Sequence, residues 1–382
     1  MKITQVTAEP VRLPISPVSY ASEGAGTKRE WGRLSRTNPK RPETILEYVL
    51  VHIETDGGVR GTGEASADIG FFGQTQEQIV AAVDDYLGPP LVGESPFDRE
   101  RLMHLIDFRE NSSAKSAIDL ALHDLVGRAL GCSVCDLLGG RFRERVPVAI
   151  EIGGGSPDDM ADACRRLMEQ GVRAFKPKIG GIPEKDAERL EAIREAVGPG
   201  VSLRADANQG YSPKEAVRLC RLAEERGVGL ELLEQPVHYQ DLPGMAFVRR
   251  SVETPIEADE SAFSPQDVLA VIRHEAADVI NIKIAKAGGL VAAKKIAALT
   301  EAAGLGCVIG TGFGLGVKVA AKLHLAASIA AVVDAVEFTE LALHPSLLAP
   351  PHDGGLALPL DDGCLPVPTG PGLGVAWAGP GA

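Results

Sequence analysis

Between residues 174 and 283 the chain repeats one device, a short apolar run that ends on a charged residue. Phe175 leads into Lys176-Pro177-Lys178, Leu203 into Asp206, Leu232-Leu233 into Glu234, Ile256 into Asp259, and Ile280 into Lys283. From Lys178 onward the spacings are 28, 28, 25 and 24 residues. A strand, a helix and two loops consume about that much chain, because parallel neighbours need a crossover of a dozen residues or more. The spacing therefore predicts parallel strands, each ending on a polar group. Closed into an α/β, TIM-like (β/α) barrel, such strands bring their C-terminal ends to one face, where polar residues serve chemistry. Three carboxylates flanked by lysines are expected to share one pocket there.

The flanking sequence predicts what completes the barrel. Strand-like runs at 3–12, 44–54 and 59–64, the last two joined by Asp56-Gly57-Gly58, predict a small antiparallel sheet. Helical patterns follow at 75–87, 96–108 and 113–130, which gives an N-terminal α+β capping domain over residues 1–130. The barrel is expected over 131–344. It starts with a strand at 146–152 and ends with strands near 306–309 and 335–338, and helices lie at 157–170, 184–197, 213–226, 265–275 and 290–303. The Pro- and Gly-rich segment 345–382 is expected to run back onto the N-terminal sheet and complete the cap.

At 382 residues the chain exceeds one compact core, which suits a barrel with a smaller second domain. A net charge of −13 opposes the basic surface that nucleic-acid binding requires. The apolar run 319–333 holds Lys322 and His324, which fits a buried helix rather than a membrane span, and His324 is read as structural. The six cysteines, with one CxxC at Cys132 and Cys135, are read as reduced structural thiols. The first residues carry no long apolar signal, so a cytoplasmic location is expected, as is a homo-oligomer.

Asp206, Glu234 and Asp259 are hard oxygen donors with no Cys or His at equivalent strand ends, a set that selects Mg²⁺ or Mn²⁺ over zinc. Lys178 and Lys283 fall on strands two and six, on opposite sides of the ring. Lys176 shares a strand face with Lys178 and is expected to lower its pKa. The loop 20–41, with Arg29, Arg33 and Arg36, and the loop 66–75, with Ile69, Phe71 and Phe72, are placed over the pocket as substrate-binding elements.

The motifs Lys-x-Lys at 176, Asp-x-Asn at 206, Glu-Gln-Pro at 234, Ala-Asp-Glu-Ser at 258 and Asn-Ile-Lys-x-x-Lys-x-Gly-Gly at 281 together resemble the enolase superfamily, in its muconate lactonizing enzyme subgroup. The resemblance spans nearly the whole chain. It implies Asp206, Glu234 and Asp259 as Mg²⁺ ligands and Lys178 and Lys283 as an acid/base pair, with Lys176, Asn208 and Glu260 as accessory groups. Relatives of the mandelate racemase type carry a histidine near strand seven, where this chain has Gly310-Thr311-Gly312-Phe313-Gly314. Dipeptide epimerases of the subgroup are expected to end strand eight with Asp-x-Asp. Here the sequence is Val336-Glu337-Phe338-Thr339-Glu340-Leu341, and Glu337 is read as the acid in the site with Glu340 as the alternative.

The resulting expectation is a Mg²⁺-dependent enzyme that moves a proton α to a small substrate's carboxylate through an enediolate, with a muconate-type cycloisomerase as the main reading. The alternatives are racemisation or epimerisation of an amino-acid derivative, then syn-dehydration of a hydroxy acid. A Schiff-base lysine enzyme and a non-catalytic carboxylate-binding barrel are the rivals outside this chemistry.

Overall fold

The computed structural model describes residues 1–14, 45–343 and 360–375. Strands β1 (Ile3–Pro14), β2 (Ile45–Thr55) and β3 (Arg60–Ser66) form an antiparallel sheet in that order. The helix Ser112–Leu130 lies directly on β3. A Cβ at Gly63 would come 1.8 Å from the carbonyl oxygen of Ala117, and one at Gly61 2.2 Å from that of Ala121, so glycine is what permits the approach. The predicted helix 75–87 is α-helical over Gln76–Ala81 and continues as a wider π turn over Ala82–Leu87. The predicted 96–108 shortens to Arg99–Leu105.

Eight parallel strands make the barrel: β4 (Arg145–Ile152), β5 (Ala174–Pro177), β6 (Ser202–Asp206), β7 (Leu232–Glu234), β8 (Ile256–Ala258), β9 (Val279–Ile282), β10 (Gly306–Ile309) and β11 (Val336–Glu337). Seven follow each other by sequence in the hydrogen-bonded ring, and β11 joins β4. A bridge between Cys307 and Val332 links the two ends. Three outer helices begin alike. Ser156, Ser212 and Ser264 each cap the first turn, with proline next and an acid three residues on, so two backbone donors are satisfied reciprocally.

The large apolar core lies between the strands and the helices around them, and it includes Phe175, Leu203, Leu233 and Ile280. Inside the ring, apolar side chains form only two small groups, Ala149 with Ala174 and Ala335, and Leu232 with Val279 and Val308. The rest of the interior is ionic. The helix Gly316–Ala327 is buried along its length and carries His324, whose Nδ1 accepts the Cys135 N–H and whose Nε2 donates to the Leu373 carbonyl. Among the described residues no helix is long and apolar enough to cross a membrane.

The described C-terminal residues meet both the barrel and the capping domain. Strand β12 (Cys364–Pro366) pairs antiparallel with β4 of the barrel, Gly372 bonds to the backbone of Cys132 and Val134, Leu373 donates to Asp124, and Val375 accepts from Arg128. This segment fastens the barrel to the long capping helix, where the edge of β4 before its barrel partners offers free backbone groups, and among the described residues it adds no strand to the N-terminal sheet.

Candidate active site

Strand geometry builds the site in two tiers, since residues two apart in a strand share a face. Lys178, Asp206, Asp259 and Lys283 stand at or just past the strand ends. Beneath them lie Lys176, Arg204, Glu257 and Asn281, with Glu151 and Glu337 from the first and last barrel strands. Pro177 lacks an N–H, and the β5–β6 ladder is interrupted after Phe175–Leu203, resuming only at the bridge from Lys178 to Asp206. Past β6 the chain turns through left-handed Asn208 and Gln209, with φ of 40° and 67°. The turn folds the Asn208 N–H onto Asp206 Oδ1 at 2.8 Å, while its side chain donates to Glu260 at 3.2 Å.

Ammonium groups sit on all three candidate ligands. Lys178 Nζ is 2.6 Å from Asp206 Oδ2 and 2.9 Å from Glu151. Lys176 Nζ is 2.6 Å from both Glu234 and Glu337 and 3.3 Å from Glu151. Lys283 and Lys286 hold the two oxygens of Asp259 at 2.5 and 2.8 Å. Burial opposes charge on Asp259, yet these two lysines hold it below the usual carboxylate range. Glu234 goes the other way, raised by burial and by Asp206 beside it.

The expected lowering of Lys178 is corrected by the geometry. Burial and the Lys176 ammonium do work against its charge, but Asp206 and Glu151 outweigh them, so Lys178 is held above its ordinary value. The reason is distance. Two carboxylates lie within hydrogen-bonding reach, and each neutralises more than Lys176 can repel.

Among the described residues no three acidic, His or Cys side chains converge as a ready cage for an ion. The donor set nonetheless fits a divalent cation on charge. Glu151, Asp206, Glu234, Glu257, Asp259, Glu260 and Glu337, with Asp334 on Arg204 from below, face Lys176, Lys178, Arg204, Lys283 and Lys286, which leaves the carboxylates in excess. The adjoining pairs Lys322 with Glu340 and Lys318 with Glu64 cancel. The excess shows in the acids themselves. Burial and neighbouring carboxylates push Glu260 up to about 7 and Glu257 up to about 8, and buried Glu260 Oε2 has no hydrogen-bond partner among the described residues. All candidate donors are oxygens on adjacent strands, as Mg²⁺ or Mn²⁺ requires.

Over the pocket, Phe71 places its ring 4.3 Å from Lys283 Nζ and packs on Phe72 and Phe263 at centroid distances of 5.0 and 5.4 Å. Phe72 is buried against Gly312, whereas Ile69 is exposed. Arg29 and the rest of the basic loop lie outside the described residues. At strand eight, Glu337 faces Lys176, and Glu340 instead pairs with Lys322 and accepts from the Thr311 hydroxyl at 3.0 Å.

Several groups in the site escaped the sequence reading. Arg204 and Glu257 lie two residues before Asp206 and Asp259, so the same alternation that singles out Lys176 would have found them. Glu151 is the inward residue of the first barrel strand, and Lys286 follows Lys283 by one turn.

An eight-stranded barrel, a three-stranded cap and acids on successive strand ends flanked by lysines define an enolase-type enzyme. Residues 42–139 match the N-terminal domain model of the mandelate racemase / muconate lactonizing enzymes, and residues 159–380 match the enolase C-terminal domain-like model. The chain belongs to the mandelate racemase/muconate lactonizing enzyme family of the enolase superfamily. It is 39% identical over 285 residues to an L-Ala-D/L-Glu epimerase of Bacillus subtilis, covering 74% of this chain and 78% of that protein. It is 33% identical over 335 residues to a chloromuconate cycloisomerase of Cupriavidus pinatubonensis, covering 86% and 88%. A dipeptide epimerase from Enterococcus faecalis complexed with Mg and the dipeptide L-Leu-L-Tyr superposes with a TM-score of 0.84 at 32% identity, over 98% of this chain and 99% of that one.

Proposed function

We propose that the protein racemises or epimerises an amino-acid-derived carboxylate by proton transfer at the α-carbon, with a divalent cation held by Asp206, Glu234 and Asp259. The observation that carries this reading is the placement of Lys178 and Lys283 at the ends of strands two and six, on either flank of the three acids. Greater similarity to epimerases than to cycloisomerases supports it over the cycloisomerase expected from sequence. When bound, the cation supplies fixed positive charge beside the substrate carboxylate. The chain's own residues do the rest. One lysine takes the α-proton and the opposite lysine returns one to the other face, which inverts the centre. Lys176 stays a buried cation that fixes Glu234 and Glu337. The Phe71 wall closes over Lys283 and excludes water from the transfer.

A cycloisomerase is the second reading, favoured by the strand-eight acids. Glu337 and Glu340 are each tied to a lysine, and no Asp-x-Asp is present at that strand end. The two readings separate in one screen. Dipeptides such as L-Ala-L-Glu, N-succinyl amino acids and cis,cis-muconate are incubated with the Mg²⁺-loaded enzyme and followed by chiral chromatography and ultraviolet absorbance. Inversion of a dipeptide or N-acyl amino acid supports the proposal, and lactonisation of muconate without inversion of any amino-acid derivative refutes it.

A further inference from the structure

The helix Gly316–Ala327 begins without a side-chain cap of its own, because Leu315 and Gly316 offer no polar side chain. The cap comes from far away in sequence. Glu64, on strand β3 of the capping sheet, accepts the Leu315 N–H at 2.7 Å through Oε1 and the Lys318 N–H at 3.0 Å through Oε2. It is wholly buried. A carboxylate in such a place is costly unless its oxygens are filled, and here two helix N-terminal donors take one oxygen each while the nearby Lys318 ammonium offsets the charge. A cap alone would not require this arrangement, since a local serine serves at Ser156, Ser212 and Ser264.

What Glu64 and its neighbours hold is the loop of residues 310–315 that follows strand seven. Ser66 Oγ donates to the Phe313 carbonyl at 2.5 Å, and Lys318 Nζ donates to the same oxygen at 3.0 Å and to Ser66. Phe313 is in the left-handed region with φ 47°, a conformation that persists for such a residue only when its surroundings fix it. Its N–H reaches Thr311 Oγ1 at 3.2 Å. Thr311 in turn donates its N–H to Glu337 Oε2 at 3.0 Å, and the other oxygen of Glu337 takes the Lys176 ammonium. A continuous series of buried polar contacts thus runs from the capping sheet to the cation beneath the site.

We propose that Glu64 is a positioning residue: from the capping domain it fixes the loop 310–315 and, through Thr311, the placement of Glu337 and Lys176. Lys318 is its counter-ion. The groups facing the pair from the packed elements are Glu340 and Lys322. Burial pushes Glu64 up to about 7 and Lys318 down to about 8, which places the ionisation of this pair in the neutral range.

The test compares wild type with Glu64→Gln, which keeps the shape but turns an amide donor toward a backbone N–H, and with Ser66→Ala in case the first variant does not fold. Amide hydrogen exchange is followed in peptides covering 306–318 and 335–343, with the outer helix Pro213–Glu225 as internal control. Glu64→Gln is expected to speed exchange in both test peptides and leave the control unchanged, and Ser66→Ala to do the same more weakly. On the compound turned over fastest in the screen above, Glu64→Gln should lower kcat about tenfold with KM within about twofold, the size expected of misplaced groups. An inflection near pH 7 should also leave its kcat profile. Unchanged exchange at 335–343, or a rise spread evenly over all three peptides, overturns the proposal. So does a kcat within about twofold of wild type. The kinetic arm rests on the racemase reading and the exchange arm does not. If no compound is turned over, the function fails while the exchange result still decides the role of Glu64.

Discussion

Lys176 Nζ lies 2.6 Å from Glu337 Oε1 at the centre of the barrel, and both side chains are fully buried. Lys176 also touches Glu234 and Glu151, so it is the ion that lets three carboxylates share the interior. Removing one partner of a buried ionic cluster strands the others and costs about 3–5 kcal/mol. Lys176→Met is therefore expected to lower the urea unfolding free energy by about that amount and to abolish turnover. A stable, active variant would show that the cluster reorganises freely.

Metal dependence is expected from the excess of carboxylates in the site. Chelation should remove activity, and Mg²⁺ or Mn²⁺ should restore it. Mn²⁺ binding, followed by electron paramagnetic resonance, should weaken in Asp206→Asn, Glu234→Gln and Asp259→Asn, and stay unchanged in Glu47→Gln on the capping sheet. Equal binding in all four proteins would place the cation elsewhere.

His324 makes the fold acid-sensitive in a defined window. Burial lowers it to about 4 from an ordinary 6.5, so the folded chain keeps it neutral where the unfolded chain takes up a proton. The unfolded state binds more protons between those values, and stability falls as pH drops from 6.5 toward 4. The loss approaches about 3 kcal/mol for a shift of this size. His324→Gln, compared with wild type by urea unfolding at pH 7 and pH 4.5, should show a shallower loss. Parallel losses in both proteins would assign the acid sensitivity to other groups.

The close approach of the long capping helix makes Gly63 irreplaceable. Gly63→Ala would drive a Cβ into the Ala117 carbonyl oxygen, which is backbone and cannot rotate away. The expected destabilisation is about 1–3 kcal/mol or more, read as a lowered Tm. A Tm equal to wild type would mean the helix shifts at no cost.

The barrel and its polar face were legible because strand-end residues recur with the period of a βα unit, a signal spread over Lys178, Asp206, Glu234, Asp259 and Lys283. Pairwise facts were not. Nothing in the sequence says that Glu64 reaches a backbone N–H 251 residues later, and the preference for Glu337 over Glu340 as the site acid carries no sign that its partner is Lys176. Those depend on how the loop 310–315 turns at Phe313. The pairing of residues 364–366 with β4 was also hidden, since a three-residue strand carries no pattern that names its partner. The sign of the shift at Lys178 was misread because Glu151 was missed, and with it the second carboxylate on that ammonium.

The central claim is that two lysines address opposite faces of one α-carbon, and isotope exchange tests it most directly. Lys178→Ala and Lys283→Ala are incubated in D₂O with each epimer of the substrate the screen identifies, and the α-proton is followed by NMR. The account predicts that each variant fails to invert the centre yet still exchanges the α-proton of one epimer, and that the two variants choose opposite epimers. Inversion by either variant, or exchange of the same epimer by both, would contradict it.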